Sequence, residues 1–309
     1  MKVLICGAGV IGQVFAARLV QAGHQVTLLA RGQVAQELSR RGITLQADGG
    51  SCHERPRIVT VFPRDGGHDL VLVTVRRDQV ASIVPDLGAA GGQIVFLLNQ
   101  CRDLEQVRQS AGGDRVLFGF PGVAGYRKDD GTVRYMEIRQ QPTTIERRDG
   151  REQPVLRMLR SAGFRATACG DMSGWLSAHA VFITAAGAAI LASGGDSVAL
   201  AADGARVGEM VSAVGEGFRA LARQGVTVVP TPLRLLFTVV PRFAAVRYWR
   251  RQLRGPVGTV AMAPHMQATG TTEFPVMCAD VLQLVAGYGP APHLDRLLRD
   301  RIGQAGAVP

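Results

Sequence analysis

A strand-length apolar run that turns through three spaced glycines into an amphipathic helix leaves few folds open to a chain. Residues 2–6 (KVLIC) form that run, and Gly7-Ala8-Gly9-Val10-Ile11-Gly12 follows directly. A helical pattern comes next, with Ile11, Val14, Phe15, Leu19 and Val20 on one face; Gly23 stops it, and 25–30 (QVTLLA) reads as a second strand. The spacing predicts a β–turn–α–β unit with G-x-G-x-x-G at the strand-to-helix junction. Gly7 permits the tight turn, Gly9 lets a pyrophosphate approach the backbone, and Gly12 lets the helix pack close to the strand. The helix start, with Val10 and Ile11 inside the motif, supplies free N–H groups and the positive end of the helix dipole to the anion. Glycine-rich turns are common by themselves. Strand, motif, helix, stop and second strand in this order point to a dinucleotide.

The end of the second strand bears on which dinucleotide. NAD sites usually place Asp or Glu there to hold the ribose hydroxyls. This chain has Leu29-Ala30-Arg31-Gly32, and its next acid is Glu37. A guanidinium at Arg31 suits a 2′-phosphate, which it can grip through paired hydrogen bonds. NADP(H) is therefore expected over NAD; the alternative is that Arg31 is a solvated loop arginine.

Charge needs care here. The chain has 35 Lys and Arg and a formal net charge of +10, yet only Lys2 and Lys128 are lysines. So strong an arginine bias reads as coding composition, and no long basic run interleaved with aromatics marks a nucleic-acid surface. The densest cluster, Arg242, Arg247, Arg250, Arg251 and Arg254, reads as a solvated helix face. Five scattered cysteines without a C-x-x-C motif suggest reduced thiols in a cytoplasm and no metal site. A first strand beginning at residue 2 leaves no room for a signal peptide. Residues 175–192 (WLSAHAVFITAAGAAILA) are nearly uncharged, but their alanine and glycine content suits a buried bundle helix better than a membrane span.

Alternating strands and helices up to residue 168, including 69–75 (DLVLVTV), 93–98 (QIVFLL) and 115–120 (RVLFGF), argue for a mostly parallel sheet. Residues 133–138 and 143–146 read as strands paired with each other. From residue 169 the pattern is helical: one helix from 171 or 173 to Gly194-Gly195, one within 196–224, and a final pair over 260–287 and 292–303. The expected class is α/β, with a Rossmann-type doubly wound sheet over 1–168. An all-α domain for substrate binding or dimerisation is expected over 169–309.

With those segments in order, the chain resembles the ketopantoate reductase (2-dehydropantoate 2-reductase) family over nearly its full length. The resemblance rests on GAGVIG at 7–12, AGHQVTLLARG at 22–32, VTVRRDQV at 73–80, LLN at 97–99, the tryptophan-led helix at Trp175 and TEF at 272–274. It implies an oxidoreductase that binds NADPH between a Rossmann domain and a helical domain and delivers hydride to the ketone of a 2-oxo acid. Gly7, Gly9, Gly12 and Arg31 match the family's cofactor positions. Arg76 and Gln79 stand for its K-x-x-Q, Asn99 for the asparagine beside the nicotinamide ribose, and Glu273 for the acid of its T-E pair. A surface helix carboxylate is the alternative for Glu273.

The substrate half departs from the family. Its lysine, which polarises the ketone, falls on Ser177; its two asparagines fall on Val181 and Ala185; its serine falls on Ala261; no lysine follows Lys128. Reduction needs a donor where the alkoxide develops. His179, His265 and Ser177 are the candidates, with a core histidine the bland reading of His179. Three functions remain open: an NADPH-dependent reductase of a carbonyl or imine more apolar than ketopantoate, a non-redox isomerisation, elimination or cyclisation on the same fold, and a non-catalytic NADPH-binding protein. The expected partner is a small-molecule substrate, without nucleic acid or membrane, and the helical half can serve a homodimer.

Overall fold

The chain opens with β1 (Lys2–Cys6), α1 (Val10–Gln21), β2 (Gln25–Leu29) and α2 (Gly32–Arg41). There follow β3 (Ile43–Ala47), β4 (Gly50–Glu54), β5 (Arg57–Val59), β6 (Leu70–Val73), α3 (Val80–Leu87), β7 (Gln93–Leu97) and α4 (Leu104–Ala111). Then come β8 (Val116–Phe120), β9 (Val123–Arg127), β10 (Val133–Glu137), β11 (Thr143–Glu146), α5 (Glu152–Ser161) and β12 (Ala166–Cys169). The computed structural model describes residues 1–64 and 67–305. It has two units, Met1–Leu98 with Asp103–Met172, and Asn99–Arg102 with the chain from Ser173 onward.

In the first unit an eight-stranded sheet runs β12-β11-β8-β7-β6-β1-β2-β5. Every neighbouring pair is parallel except β11 against β8. Parallel strands covered on both faces need no polar alternation. Accordingly Val3–Cys6 and Leu70–Val73 are 0% exposed at every position. The order leaves β1 between β2 and β6, so the chain switches sides of the sheet at the carboxyl end of β1. Open α/β sheets bind ligands at such a point.

One expectation fails here. Segments 133–138 and 143–146 do not pair with each other. β10 joins β9 and β3 in a separate four-stranded sheet, β4-β3-β10-β9, while β11 extends the main sheet between β8 and β12. Strand β9, hidden after Pro121-Gly122, is the hairpin partner that β10 takes in the antiparallel register Val133↔Arg127 to Glu137↔Val123. Both strands have the right composition for either sheet, and only long-range contacts separate them.

The second unit is helical: α6 (Met172–Leu191), α7 (Ser197–Ala202), α8 (Gly204–Arg223), α9 (Thr231–Thr238), α10 (Arg242–Arg254), a π-helical turn (Val257–Met262), α11 (Ala263–Thr269), α12 (Glu273–Val285) and α13 (Pro292–Ala305). Segment 196–224 holds two helices rather than one, because Asp196 and Asp203 each start one. Their carboxylates accept N–H bonds from Val198 (2.7 Å) and Arg206 (3.0 Å). Segment 260–287 is likewise broken at 270–272. Asn99–Arg102, read from sequence as part of the sheet domain, belongs with the helices: Cys101 lies in their apolar core, and Arg102 sits 4.0 Å from Asp280 of α12. Among the described residues α6 is the one helix long and apolar enough to cross a membrane, and 83% of that stretch is buried.

A buried carboxylate ties α13 to α8. Glu216 Oε2 accepts the backbone N–H groups of His293 (2.9 Å) and Leu294 (3.1 Å), and its Oε1 lies 2.6 Å from His293 Nδ1. It supplies from a distant helix the acceptors that the first turn of α13 lacks. Glu216→Ala should therefore cost about 2–3 kcal/mol, since two buried donors lose their acceptor. His293→Ala, which removes only a partly exposed ring, should cost about 1 kcal/mol or less. Urea unfolding of both variants checks this; equal losses would mean that the ring, not the helix cap, carries the contact.

Candidate functional site

At the carboxyl end of β1 the three glycines play separate roles that their surroundings define. Gly7 has φ +113°, and a Cβ there would lie 2.9 Å from the Thr74 backbone carbon. At Gly12 a Cβ would overlap the Gly7 carbonyl oxygen. Gly9 has ordinary φ −71° and open space where its Cβ would be. The first and third glycines are thus demanded by the protein itself. Gly9 leaves a gap that the protein does not fill, beside the first turn of α1, whose N–H groups at Val10, Ile11 and Gly12 have no intrahelical carbonyl to bond.

Two polar side chains that sequence reading missed hold this turn. Thr74 Oγ1, just after β6, donates to the Gly7 carbonyl (3.0 Å) or the Cys6 carbonyl (3.2 Å). Gln13, 2% exposed, donates from Nε2 to the Ala8 carbonyl (2.8 Å). A glutamine on the buried face of an apolar helix was the available signal.

Arg31 stands at the start of α2 with extended backbone, its carbonyl accepting the Ala35 N–H (3.4 Å); it is exposed, and its guanidinium makes no ion pair or hydrogen bond with the described residues. The first acid beyond it is committed elsewhere. Glu37 is bonded by Arg127 and by Arg41 (3.4 Å), and the Arg127 hydrogen bond holds its carboxyl below the usual range. This strand end therefore offers an anion a guanidinium and offers ribose hydroxyls no free carboxylate. The site's polar groups fit a 2′-phosphorylated dinucleotide. Arg76 is less available than its position suggests: its Nε and Nη2 each lie 3.1 Å from the two oxygens of Asp78, and Gln79 Oε1 accepts the Arg76 backbone N–H (3.3 Å). These residues build the turn into α3.

In the helical unit, Asn99 Oδ1 is buried without a hydrogen-bond partner. An orphaned acceptor of this kind costs roughly 1–3 kcal/mol until a donor arrives. Glu273 is 3% exposed at the first position of α12, which removes the surface reading of this carboxylate; the helix dipole favours a negative charge there. Asp280, seven residues on and on the same face of α12, is also buried and faces Arg102. It too was missed, although a carboxylate inside an apolar helix is a readable signal.

On α6 the residues at the expected substrate positions pack inward. Val181 and Ala185 are 0% exposed within the helical core, and the Val181 methyls lie where a Cβ on Gly217 of α8 would be. Ser177 is 3% exposed, and its hydroxyl makes no hydrogen bond with the described residues. A different face carries the polar chemistry. His179 stacks on Trp175 one turn earlier (centroids 5.2 Å apart, planes 9° apart) and meets the edge of Phe182 at 6.2 Å. Gly187 lets α11 and α12 come close to α6, since a Cβ there would lie 2.6 Å from Phe274 and collide with Met266. This approach brings His265 of α11 near enough for its charge to act on His179. Burial pushes His179 down to about 3, with His265 adding to the fall, and pushes His265 down to about 4. Both rings are neutral at pH 7. A neutral imidazole can still donate one N–H to a developing oxyanion, or accept a proton. All five cysteines are free thiols, and among the described residues no cluster of three His, Cys, Asp or Glu could hold a metal ion.

Comparison with known proteins bears on these sites. Residues 3–150 match the family model described as ketopantoate reductase PanE/ApbA. The chain is 28% identical over 184 residues to a 2-dehydropantoate 2-reductase of Archaeoglobus fulgidus, covering 58% of this chain and 60% of that protein. It is 25% identical over 138 residues to an uncharacterized oxidoreductase of Bacillus subtilis, covering 44% and 45%. The chain thus spans roughly half the length of the curated relatives it matches. Among solved structures, a 2-dehydropantoate 2-reductase from Geobacter metallireducens superposes with TM-score 0.79 at 18% identity, over 99% of this chain and all of that one. A D-mandelate dehydrogenase solved with NADH and anilino(oxo)acetate gives 0.74 at 14% identity, over 99% and 100%. At such identities the superpositions establish a shared fold, an α/β sheet domain followed by a helical one.

Proposed function

From a chain whose residues 3–150 match the ketopantoate reductase PanE/ApbA family model, we infer an NADPH-dependent reductase acting on a carbonyl or imine more apolar than ketopantoate. The observation that carries the cofactor half is the glycine turn: Gly7 and Gly12 have no room for a side chain, whereas Gly9 faces open space beside a helix start. Gly9, Val10, Ile11 and Gly12 cradle the pyrophosphate, and Arg31 grips the 2′-phosphate. In the helical unit, the unpaired oxygen of Asn99 can accept a hydroxyl, and Glu273 is the carboxylate that the family resemblance assigns to the cofactor. Arg76 and Gln79 serve by fixing the chain after β6. When bound, the cofactor supplies hydride.

For the substrate, the chain's own contribution is a hydrogen-bond donor in dry surroundings. His179 takes this part, with its ring plane fixed by Trp175. His265 holds down the proton affinity of His179, and Ser177, buried on another face, has the lesser claim. An imidazole N–H stabilises a growing oxyanion without carrying a full charge, and it is strongest where water is excluded. Proton delivery to the finished alkoxide then falls to water, because His265 is itself neutral at pH 7. One observation favours a second reading, non-redox chemistry: the helical unit contains no lysine, so the family's cationic acid has no replacement.

Cofactor titration tests the first half of this reading. Arg31→Ala should raise the Kd for NADPH by roughly 10–100-fold, about 1.5–3 kcal/mol for one charge-assisted contact, with little change for NADH. Equal affinity of the parent protein for the two cofactors would overturn it. Following NADPH oxidation against a panel of apolar ketones, aldehydes and imines separates redox from non-redox chemistry. Ketopantoate itself should turn over slowly, because Val181 and Ala185 offer its polar groups no partner.

A further inference from the structure

The 56 residues between Glu216 and Glu273 contain eight arginines and no Asp or Glu. In the same stretch the molecule exposes an unusual concentration of apolar surface. Of the ten large hydrophobic side chains exposed among the described residues, five lie between Leu235 and Tyr248. They centre on the turn that joins α9 to α10, where Val239 is 69% and Phe243 78% exposed. Helix α10 explains the sidedness. Ala245, Trp249 and Leu253 are buried on its inner face, which leaves Phe243, Arg247, Tyr248 and Arg251 facing out, while the Arg242 guanidinium lies over Gly208 of α8 and donates to its carbonyl (3.4 Å). Neither Arg234, Arg242, Arg247 nor Arg251 forms an ion pair with the described residues, so the positive charge around the turn is not neutralised within the chain.

We propose that the α9–α10 turn is a docking surface for an anionic lipid bilayer, with Val239, Val240 and Phe243 entering the acyl–headgroup boundary and Arg234 and Arg247 pairing with lipid phosphates. Charge complementarity selects this occupant. A second copy of the chain meeting it symmetrically would bring an equally arginine-rich stretch against the first, and like charges in contact are repulsive. Protruding single apolar side chains at a turn, ringed by arginines, are the arrangement of a peripheral membrane anchor rather than of a hydrophobic groove. Lipid phosphates satisfy the guanidiniums in pairs, and the short apolar tip is too small to span anything. The expectation from sequence, a solvated basic face and no membrane partner, saw the arginines without the exposed residues folded among them.

Co-sedimentation of the full-length protein with vesicles tests this. The protein should partition onto an equal mixture of phosphatidylcholine and phosphatidylglycerol, and only weakly onto phosphatidylcholine alone. Raising salt should release it, because the headgroup attraction is screened. Replacing Val239 and Phe243 together by serine should weaken partitioning by about tenfold or more. Replacing Arg234 and Arg247 by glutamine should weaken it by about fivefold per arginine. Both variants should melt with the parent, since these side chains are largely exposed. Absence of binding to the anionic vesicles, or equal binding to both vesicle types, overturns the proposal. So does binding that survives the serine pair, which would reduce the surface to unspecific charge. Sedimentation equilibrium supplies the remaining arm: a parent dimer that the serine pair converts to monomer would assign the surface to a second copy instead.

Discussion

Gly9→Val should abolish useful dinucleotide binding while leaving the fold standing. A Cβ at this position meets no protein atom within 4 Å, and the backbone at Gly9 has φ −71°, so the folded state has room for a branched residue. Its cost to stability should be at most about 1 kcal/mol, the loss of a tolerated residue at the helix cap. The space it fills is the space a pyrophosphate needs to reach the α1 backbone, and Kd for NADPH should rise by at least about a hundredfold, roughly 2.7 kcal/mol. Gly12→Val gives the contrast. Its Cβ collides with the Gly7 carbonyl, so it should lose about 3 kcal/mol or more of stability along with binding. Thermal melts and cofactor titration on both variants separate the two effects. A Gly9→Val protein that binds NADPH normally would show that the gap is not the pyrophosphate site.

The second large effect is expected at His179. If its neutral N–H stabilises an oxyanion, His179→Ala should lower kcat by roughly a hundred- to a thousandfold, the usual result of removing one such donor. His179→Gln, which retains an N–H donor, should recover part of the loss; a purely structural histidine would give no such split. With His179 near 3 and His265 near 4, neither ring should contribute a limb to kcat/KM between about pH 5 and about pH 8. An inflection near the ordinary histidine value that disappears in His179→Ala would overturn the neutral-donor role.

Stability should tell the same story. Both pKa values are lower in the folded chain than in the unfolded one, so between pH 6.5 and about 4 the unfolded state binds more protons. The stability of the neutral pair is complete above pH 6.5 and drains away as pH falls. The two alanine variants should lose less stability on acidification than the parent does. A parent whose stability is unchanged down to pH 5 would place the two rings in water.

The glycine turn was legible because the pattern that marks it lies within about thirty residues. Strand, turn, helix and second strand are neighbours in sequence, and the steric demands at Gly7 and Gly12 act on Thr74 and on the turn itself. Buried parallel strands also announce themselves, as unbroken apolar runs at 3–6 and 70–73, because both faces of the sheet are covered. Arg31 and the lack of a following acid could be read from position alone; that Glu37 is tied to Arg127 could not. Pairing was illegible for the same reason. β10 and β11 have similar composition, and their sheets are decided by partners such as β3 and β12, far away in sequence.

Helix faces are the extreme case. Sequence places Ser177, Val181 and Ala185 on one side of α6 and His179 on another, but it does not say which side meets which helix. Gly217 of α8 accepts the Val181 side, and Gly187 admits Met266 and Phe274 on another. The second of those approaches, between residues tens of positions apart, sets α11 and α12, which carry His265 and Glu273, against α6. The order of residues determined the dinucleotide turn and the class of fold. Which side chains lost water, and so which of them titrate or donate at neutral pH, was decided only when the helices packed, because desolvation is a property of neighbours in space.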